Sequence, residues 1–287
     1  MSKLFRNMQE AEKHSVERPA SSAAVAQLLT EIGAEVEVGR KANFAPLSQC
    51  ESIQLPHLRR PVLVAEDEDI STHSAFESYR SLRTKLMYCQ STQGVHSVMV
   101  SSAIPGEGKT VSALNLALSL AQLQTQRVLL VDGDIRTGGL SGILGVADQP
   151  GVADVLSGQA KFMEVVCSTN IPRLYVIGAG QPEGAVADLF AGSKWSDFIG
   201  CGNELFDMVV VDSPPILGLA DFELMSSGCD GILIVVRARK TKRDVLAEIN
   251  QHLDGKAVLG VILNGHKQQS RRYGNYYYGR STRRSRT

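Results

Sequence analysis

One stretch of the sequence, SVMVSSAIPGEGKTVSALNLALSLAQL (97–123), constrains the fold more than any other. An apolar run leads into a loop of small residues, then Lys109 and Thr110, and then a segment of helical composition. This order is typical of a phosphate-binding loop, because glycines let backbone N–H groups point inward and the helix presents its positive end. Ala103 stands where the G-x-x-x-x-G-K-[ST] pattern has its first glycine. We predict a nucleotide site, with Lys109 on the β- and γ-phosphates and the Thr110 hydroxyl on Mg²⁺.

The rest of the chain alternates short apolar runs with segments of helical composition. The predicted strands are 97–102, 127–134, 173–180, 206–215, 230–238 and 256–264. Runs that are apolar on both faces and separated by helices are typical of a mainly parallel sheet covered on both sides. We therefore predict a doubly wound α/β domain over residues 71–266, preceded by a poorly defined arm (1–70) and followed by a tail (267–287).

The two ends of the chain differ in composition. The arm mixes charges with Ser, Ala and Pro, and its clearest pattern is a short helix over 22–33. A stronger apolar periodicity predicts a helix over 71–90, and another helix is expected over 241–253. The chain has no Asp or Glu after Asp254, so its C-terminal end is basic, and we expect the tail to be disordered. Four tyrosines lie in that tail: Tyr273, Tyr276, Tyr277 and Tyr278.

Overall composition bears on the cellular compartment and on the kinds of partner that the sequence suggests. The 30 basic and 30 acidic side chains balance, so total charge gives no argument for a nucleic-acid or membrane partner. The five cysteines form no C-x-x-C pair, which favours free thiols in a reducing compartment. The sequence has no apolar run of about 18 residues, as a membrane-spanning helix would need. We expect a cytoplasmic protein.

Three acidic residues follow predicted strands. Asp132 and Asp134 end the run RVLLVDGD, and Asp212 ends FDMVVVD. Ligands of open α/β sheets gather at the carboxyl ends of the strands, so we expect these acids to converge beside the phosphate loop. One carboxylate with Thr110 and the phosphates could hold Mg²⁺, and another could orient or deprotonate an attacking hydroxyl. The alternative is that such an Asp is only a turn or cap residue.

The segments SSAIPGEGKT, VLLVDGDIR and FDMVVVDSPP resemble the Walker A, A′ and B segments of the bacterial tyrosine kinases of exopolysaccharide synthesis. The resemblance runs from about residue 75 to the C-terminus. In that family Ala or Ser is common at the position of Ala103. The MinD and ParA ATPases share the P-loop NTPase fold, but their loop has an additional lysine where this chain has Ile104.

The resemblance implies phosphoryl transfer from MgATP to a tyrosine hydroxyl. A phenol has an ordinary pKa of about 10, so its proton needs a nearby acceptor. By resemblance, Asp132 is that acceptor, Lys109 is catalytic, and Asp134 and Asp212 join Thr110 on Mg²⁺. The implied nucleotide-binding residues are Pro105, Gly106, Glu107, Gly108, Lys109, Thr110, Val111, Arg136 and Asn264.

Two of these residues have more than one interpretation. By resemblance, Arg136 is expected to contact either a phosphate of the nucleotide or a neighbouring subunit. Asn264 ends the last predicted strand, where it either reads the adenine edge or simply forms a turn.

The segment ESYRSLR (77–83) matches the E-x-x-R-x-x-R helix of the family. The resemblance implies ring-like self-association through Glu77, Arg80 and Arg83. The spacing alone favours a simpler interpretation, in which Glu and Arg pair on one helix face. The resemblance also implies a separate membrane partner, a chain-length determinant, that recruits the chain to the inner face of the cytoplasmic membrane. Other proteins phosphorylated on tyrosine are further possible partners, and no nucleic acid is expected.

Three interpretations compete for the tail segment RRYGNYYYGR: a substrate for autophosphorylation, a nucleic-acid arm, or a polybasic membrane contact. The kinase-like core favours the first. The function that we expect is an ATP-dependent tyrosine autokinase that regulates exopolysaccharide chain length and export. The alternatives are a MinD/ParA-like ATPase switch and an ATP-binding regulatory module with little catalysis.

Overall fold

The computed structural model describes residues 47, 50–56, 70–123, 125–218 and 220–266. The helix predicted over 22–33 and the whole tail, with its four tyrosines, lie outside the described residues.

Eight strands form one sheet in the order β1-β4-β5-β3-β6-β2-β7-β8. Every neighbouring pair is parallel except β4 and β5, which run antiparallel. The mainly parallel α/β fold predicted from the sequence is confirmed. The strands are β1 (Glu51–Ile53), β2 (Ser97–Ser102), β3 (Val128–Asp132), β4 (Cys167–Thr169), β5 (Leu174–Ile177), β6 (Met208–Asp212), β7 (Gly231–Arg237) and β8 (Val258–Asn264).

Helices cover both faces of the sheet and enclose two cores. On one face, Leu114 of α2 packs in a cluster with Leu86 of α1; on the other, Trp195 of α6 stacks on Phe198 at 5.4 Å between ring centroids and packs with Phe222 of α7. The helices are α1 (Ile70–Gln93), α2 (Lys109–Ala121), α3 (Gly139–Leu144), α4 (Val152–Ser157), α5 (Val186–Leu189), α6 (Lys194–Leu205), α7 (Asp221–Ser226) and α8 (Arg243–Ile249), with a 3-10 turn at Phe162–Glu164.

The central strands β2, β3 and β6 are buried along their whole length, which explains their uninterrupted apolar runs. Strands β3, β5 and β6 end earlier than the runs over 127–134, 173–180 and 206–215 predicted, because the last residues of those runs form loops at the carboxyl edge. Asp132 and Asp212 end β3 and β6, and the loop after β3 carries Asp134 and Arg136.

Two short strands and one helix boundary differ from the expectations. Strands β1 and β4 have three residues each, too few to give an apolar run, and β1 adds a strand from the segment expected to be an arm. Helix α8 runs over Arg243–Ile249 rather than over 241–253, because Thr241 still belongs to a turn in which its backbone N–H donates to the carbonyl of Arg237 at 3.0 Å, and the chain after Ile249 also forms turns. Among the described helices, none is long and apolar enough to cross a bilayer.

Candidate nucleotide and phosphoryl-transfer site

The loop between β2 and α2 has the backbone that a phosphate site needs. It passes through Gly106 and Gly108 in the left-handed region, at φ 79° and 97°, and α2 begins at Lys109. A Cβ on Gly108 would lie 2.1 Å from Nδ2 of Asn264, so this position admits only glycine. Within the described residues no side chain caps the start of α2, which leaves its N–H groups available to an anion.

Lys109 lies among the predicted acids. Its Nζ is 2.7 Å from Oδ2 of Asp134 and 3.8 Å from Oδ1 of Asp212. Burial by itself would lower the pKa of Lys109, but the carboxylates of Asp212 and Asp134 outweigh it and raise that pKa. Lys109 is therefore a firmly charged ammonium that can exchange a carboxylate contact for a phosphate oxygen.

Asp212 ends β6 and is completely buried. Within the part of the chain that is described, neither of its carboxylate oxygens makes a hydrogen bond of normal geometry, although the Thr110 hydroxyl lies close enough to act against the rise in its pKa. Burial raises the pKa of Asp212 to about 7, against the opposing charge of Lys109. A buried carboxylate without such a hydrogen bond is costly unless a ligand completes it.

The donors present fit Mg²⁺. The cation prefers few protein ligands, all oxygens, and keeps water and phosphate oxygens for the rest. Asp212 offers two carboxylate oxygens, Asp134 lies 2.7 Å from Nζ of Lys109, and Thr110 occupies the first turn of α2. These few oxygen donors suit a cation that also binds phosphate oxygens.

Asp132 stands beside Asp212. The two are register partners on the parallel strands β3 and β6, so their side chains project to the same face of the sheet. Oδ2 of Asp132 accepts hydrogen bonds from the backbone N–H and the hydroxyl of Ser141, each at 2.7 Å. Burial raises the pKa of Asp132, and these two hydrogen bonds work against the rise. The three acids expected to converge do so.

The outer side of the phosphate loop is held by the loop after β7 and by the end of β8. Glu107 is completely buried, and its carboxylate accepts a hydrogen bond from the backbone N–H of Ile104 at 3.2 Å and another from the Thr241 hydroxyl. Arg237 donates to the carbonyl of Gly106 at 2.9 Å. Sequence reasoning missed Arg237, which ends β7, and Thr241 in the loop that follows. Their place at the carboxyl edge of the sheet was a usable signal, but their partners lie on another segment and could not be read from it.

Asn264 also contacts the loop. Its Nδ2 donates to the carbonyl of Glu107 at 2.9 Å, and its contact with the adenine edge stays a prediction. Pro105 and Gly106 form the exposed tip of the loop, and Val111 lies half-buried in the first turn of α2. Their predicted contacts with a nucleotide stay predictions.

The arrangement has clear counterparts among known proteins. The AAA domain family matches residues 96–254. The tyrosine-protein kinase YwqD of Bacillus subtilis is 33% identical over 223 residues, which cover 76% of this chain and 91% of that protein. The chain belongs to the bacterial tyrosine-kinase family.

Solved structures of bacterial tyrosine-kinase domains have the same fold as this chain. The kinase domain of the Escherichia coli tyrosine kinase ETK superposes with a TM-score of 0.65 at 27% identity, covering 78% of this chain and 91% of that one. The cell division ATPase MinD of Pyrococcus furiosus reaches a TM-score of 0.51 at 27% identity and covers 60% of this chain and 74% of its own. The kinase therefore shares its fold with the ATPases, and it matches ETK over more of its length.

Arg136 of this kinase family member is bound to an acid rather than free. Its guanidinium donates to both oxygens of the buried Asp221, at 2.5 and 3.0 Å. Hydrogen bonding to Asp221 raises the pKa of Arg136. A contact with phosphate or a neighbouring subunit stays a prediction, and it would have to compete with this pair.

The E-x-x-R-x-x-R residues of the kinase occupy α1, away from the acids. Glu77 accepts a hydrogen bond from Arg80 at 2.8 Å, and both side chains are more than half exposed, at 57% and 53%. Arg83 instead donates to the carbonyl of Ser119 at 2.6 Å and so ties α1 to α2. The structure thus shows the pairing within one helix face that the spacing favours, and the role of these residues in self-association stays a prediction.

Proposed function

We propose that this chain is an ATP-dependent protein-tyrosine autokinase. Its family membership supports the activity, and the observation that carries it is the arrangement of Lys109 in the phosphate loop beside Asp132, Asp134 and Asp212. The acceptors are the tail tyrosines of neighbouring subunits, Tyr273, Tyr276, Tyr277 and Tyr278.

Each group has a physical task in this mechanism. Lys109 and the N–H groups at the start of α2 bind the β- and γ-phosphates. Thr110, Asp134 and Asp212 hold Mg²⁺, which offsets phosphate charge when it is bound. Asp132 accepts the phenolic proton, since a phenol of pKa about 10 is a weak nucleophile while protonated.

The tail links this chemistry to regulation. It is basic before reaction, and each phosphate adds about −1.5 to −2 charge at neutral pH. Phosphorylation of all four tyrosines would offset the charge of its seven basic side chains and change what it binds. We propose that this switch controls exopolysaccharide chain length and export, together with a separate membrane partner that recruits the chain to the inner face of the cytoplasmic membrane.

The central experiment incubates the purified chain with MgATP and follows phosphotyrosine and ADP together. Wild type is expected to gain phosphotyrosine, whereas Lys109→Met and a variant that ends at residue 266 are not. ADP release without phosphotyrosine would favour a MinD-like ATPase, a possibility that the shared fold keeps open. Nucleotide binding with neither product would favour a regulatory module.

Transfer between subunits has its own test. The variant that ends at residue 266 keeps the site but has no acceptor, and full-length Lys109→Met keeps the acceptor but has no active site. Mixed with MgATP, they are expected to label the Lys109→Met chain. A wild type that labels itself while this mixture stays unlabelled would show that transfer occurs within one chain.

A further inference from the structure

Ser141 makes an unusually complete set of hydrogen bonds to one candidate catalytic group. It lies in the first turn of α3 and is almost completely buried. Its backbone N–H and its hydroxyl both donate to Oδ2 of Asp132 at 2.7 Å. The same hydroxyl oxygen accepts a hydrogen bond from the backbone N–H of Ala179 at 2.8 Å.

These contacts fix the direction of the hydroxyl proton. A backbone N–H can only donate. The Ser141 hydroxyl oxygen must therefore accept the hydrogen bond from Ala179, and the Ser141 O–H must donate its hydrogen bond to Asp132. Oδ2 of Asp132 then accepts two short hydrogen bonds, which use the lone pairs of that oxygen. The plane and the rotation of the carboxylate are thereby set.

The other oxygen of the same carboxylate is left open. Oδ1 of Asp132 is buried and has no hydrogen-bond partner within the described residues. Asp132 shares its face of the sheet with its register partner Asp212, whose Oδ1 lies 3.8 Å from Nζ of Lys109. One oxygen of Asp132 is therefore anchored, and the other keeps its acceptor sites for a ligand.

We propose that Ser141 is a positioning residue that presents Oδ1 of Asp132 to the phenolic hydroxyl, an inference that rests on the proposed kinase function. In the step, the tyrosine oxygen forms its bond to the γ-phosphorus while the bond from that phosphorus to the bridging oxygen of ADP breaks. The phenolic proton passes to Oδ1. Ser141 touches no reacting atom and acts only through Asp132.

The chain contains a matched control. Ser97 is equally buried, and its backbone N–H and hydroxyl donate to a single carboxylate oxygen, Oδ2 of Asp230, at 2.8 and 2.9 Å. Its hydroxyl likewise accepts from a backbone N–H, that of Asp230, at 3.0 Å. Ser97 begins β2, whereas the phosphate loop follows the end of that strand, so about 17–20 Å separate the two. Ser97→Ala therefore removes the same interaction far from the site.

The experiment measures initial rates of tail phosphorylation in the full-length chain against ATP concentration, together with the Kd of ADP. Ser141→Ala is expected to lower kcat about 10- to 100-fold, because part of the benefit of a positioned base is lost. The KM for ATP and the Kd of ADP are expected to stay within about twofold, and thermal unfolding reports that each variant is folded. Ser97→Ala is expected to leave kcat and KM within about twofold of wild type.

A second substitution separates the hydrogen bond from the space that Ser141 fills. Ser141→Cys fills the space of the hydroxyl with a slightly larger thiol that donates only weakly, so its kcat is expected to be low as well. A Cys variant with the wild-type kcat, an Ala variant within twofold of wild type, or a loss of ADP affinity that accounts for the lower rate would each overturn the positioning role. A wild type that makes no phosphotyrosine would overturn the proposed function and the positioning role with it, whereas the serine-variant outcomes above would overturn the positioning role alone.

Discussion

At the scale of single residues, the site combines groups that would be unfavourable elsewhere in a protein. Asp212 is a buried carboxylate that makes no hydrogen bond of normal geometry within the described residues, and its pKa of about 7 reflects that cost. Such groups persist where a ligand completes them. Without a ligand, the protein is therefore expected to be less stable than it would be with a neutral side chain at position 212.

Removing this carboxylate should stabilise the free protein and impair its function. The pKa of Asp212 in the folded chain, about 7, is above its ordinary value of 3.8, so between these values the unfolded chain loses the proton first. Rising pH thus lowers the stability contribution over that window, and the loss is complete above about pH 7. We expect Asp212→Asn to raise the free energy of unfolding at pH 8 by roughly 1–3 kcal/mol, and by less at pH 5.

Denaturant unfolding without nucleotide, at pH 5 and pH 8, checks this expectation. Exposed Asp254→Asn is the control and should change stability by less than about 0.5 kcal/mol at either pH. The same Asp212→Asn chain should lose the part of ADP affinity that depends on Mg²⁺. An Asn variant less stable than wild type at pH 8 would mean that the attraction between Asp212 and Lys109 outweighs the cost of burying the carboxylate.

At the scale of elements, the phosphate loop is not held by its own glycines alone. Thr241 after β7 binds the buried Glu107, and Asn264 at the end of β8 binds the backbone of the same residue. Residues that follow or end the neighbouring strands β7 and β8 thus hold the phosphate loop through hydrogen bonds. Nucleotide affinity should depend on side chains that never touch a phosphate.

Thr241→Val tests that dependence, because it keeps the shape of the side chain and removes the hydroxyl. The loss leaves an acceptor of buried Glu107 unpaired, at a cost of about 1–1.4 kcal/mol, so ADP affinity should fall about five- to tenfold. Thr241→Ser keeps the hydroxyl and should bind ADP within about twofold of wild type. Equal affinities for the Val and Ser variants would show that the contact does not support the loop.

The contact between α1 and α2 gives a second prediction at this scale. Arg83 donates from α1 to the carbonyl of Ser119, whereas Arg80 only pairs with Glu77 on an exposed face. Arg83→Ala should therefore lower the free energy of unfolding by about 1–2 kcal/mol, and Arg80→Ala by no more than about 0.5 kcal/mol. Denaturant unfolding compares the two, and the reverse order would contradict the assigned contacts.

Some elements of the site could be predicted from the sequence and others could not. The phosphate loop and the three acids could be predicted, because each follows a long apolar run that fixes its place at the carboxyl edge. The contacts of Ser141 and Thr241 could not, since a hydroxyl has no pattern of its own and its partner lies on another segment. Strand β1 escaped prediction because three residues carry no periodicity.

At the scale of the whole molecule, α1 presents an exposed face to solvent on the outside of the sheet. Glu77 and Arg80 are more than half exposed, so replacing them should disturb stability little. If they mediate self-association, as the family resemblance implies, Glu77→Ala with Arg80→Ala should shift sedimentation toward the monomer without lowering the thermal midpoint by more than about 2 °C. Unchanged sedimentation would show that this pair only supports its own helix.

The contact between Asn264 and the phosphate loop also determines where the tail is tethered. The tail leaves the domain within a few residues of the nucleotide site, and Tyr273 follows Asn264 by nine positions, at most about 30 Å of extended chain. The active site of the same chain and that of an adjacent subunit then compete for the tyrosines of one tail, whose reach is fixed by its length. The outcome depends on the effective concentration of each site, so diluting the protein should slow transfer between chains while leaving any transfer within one chain unchanged.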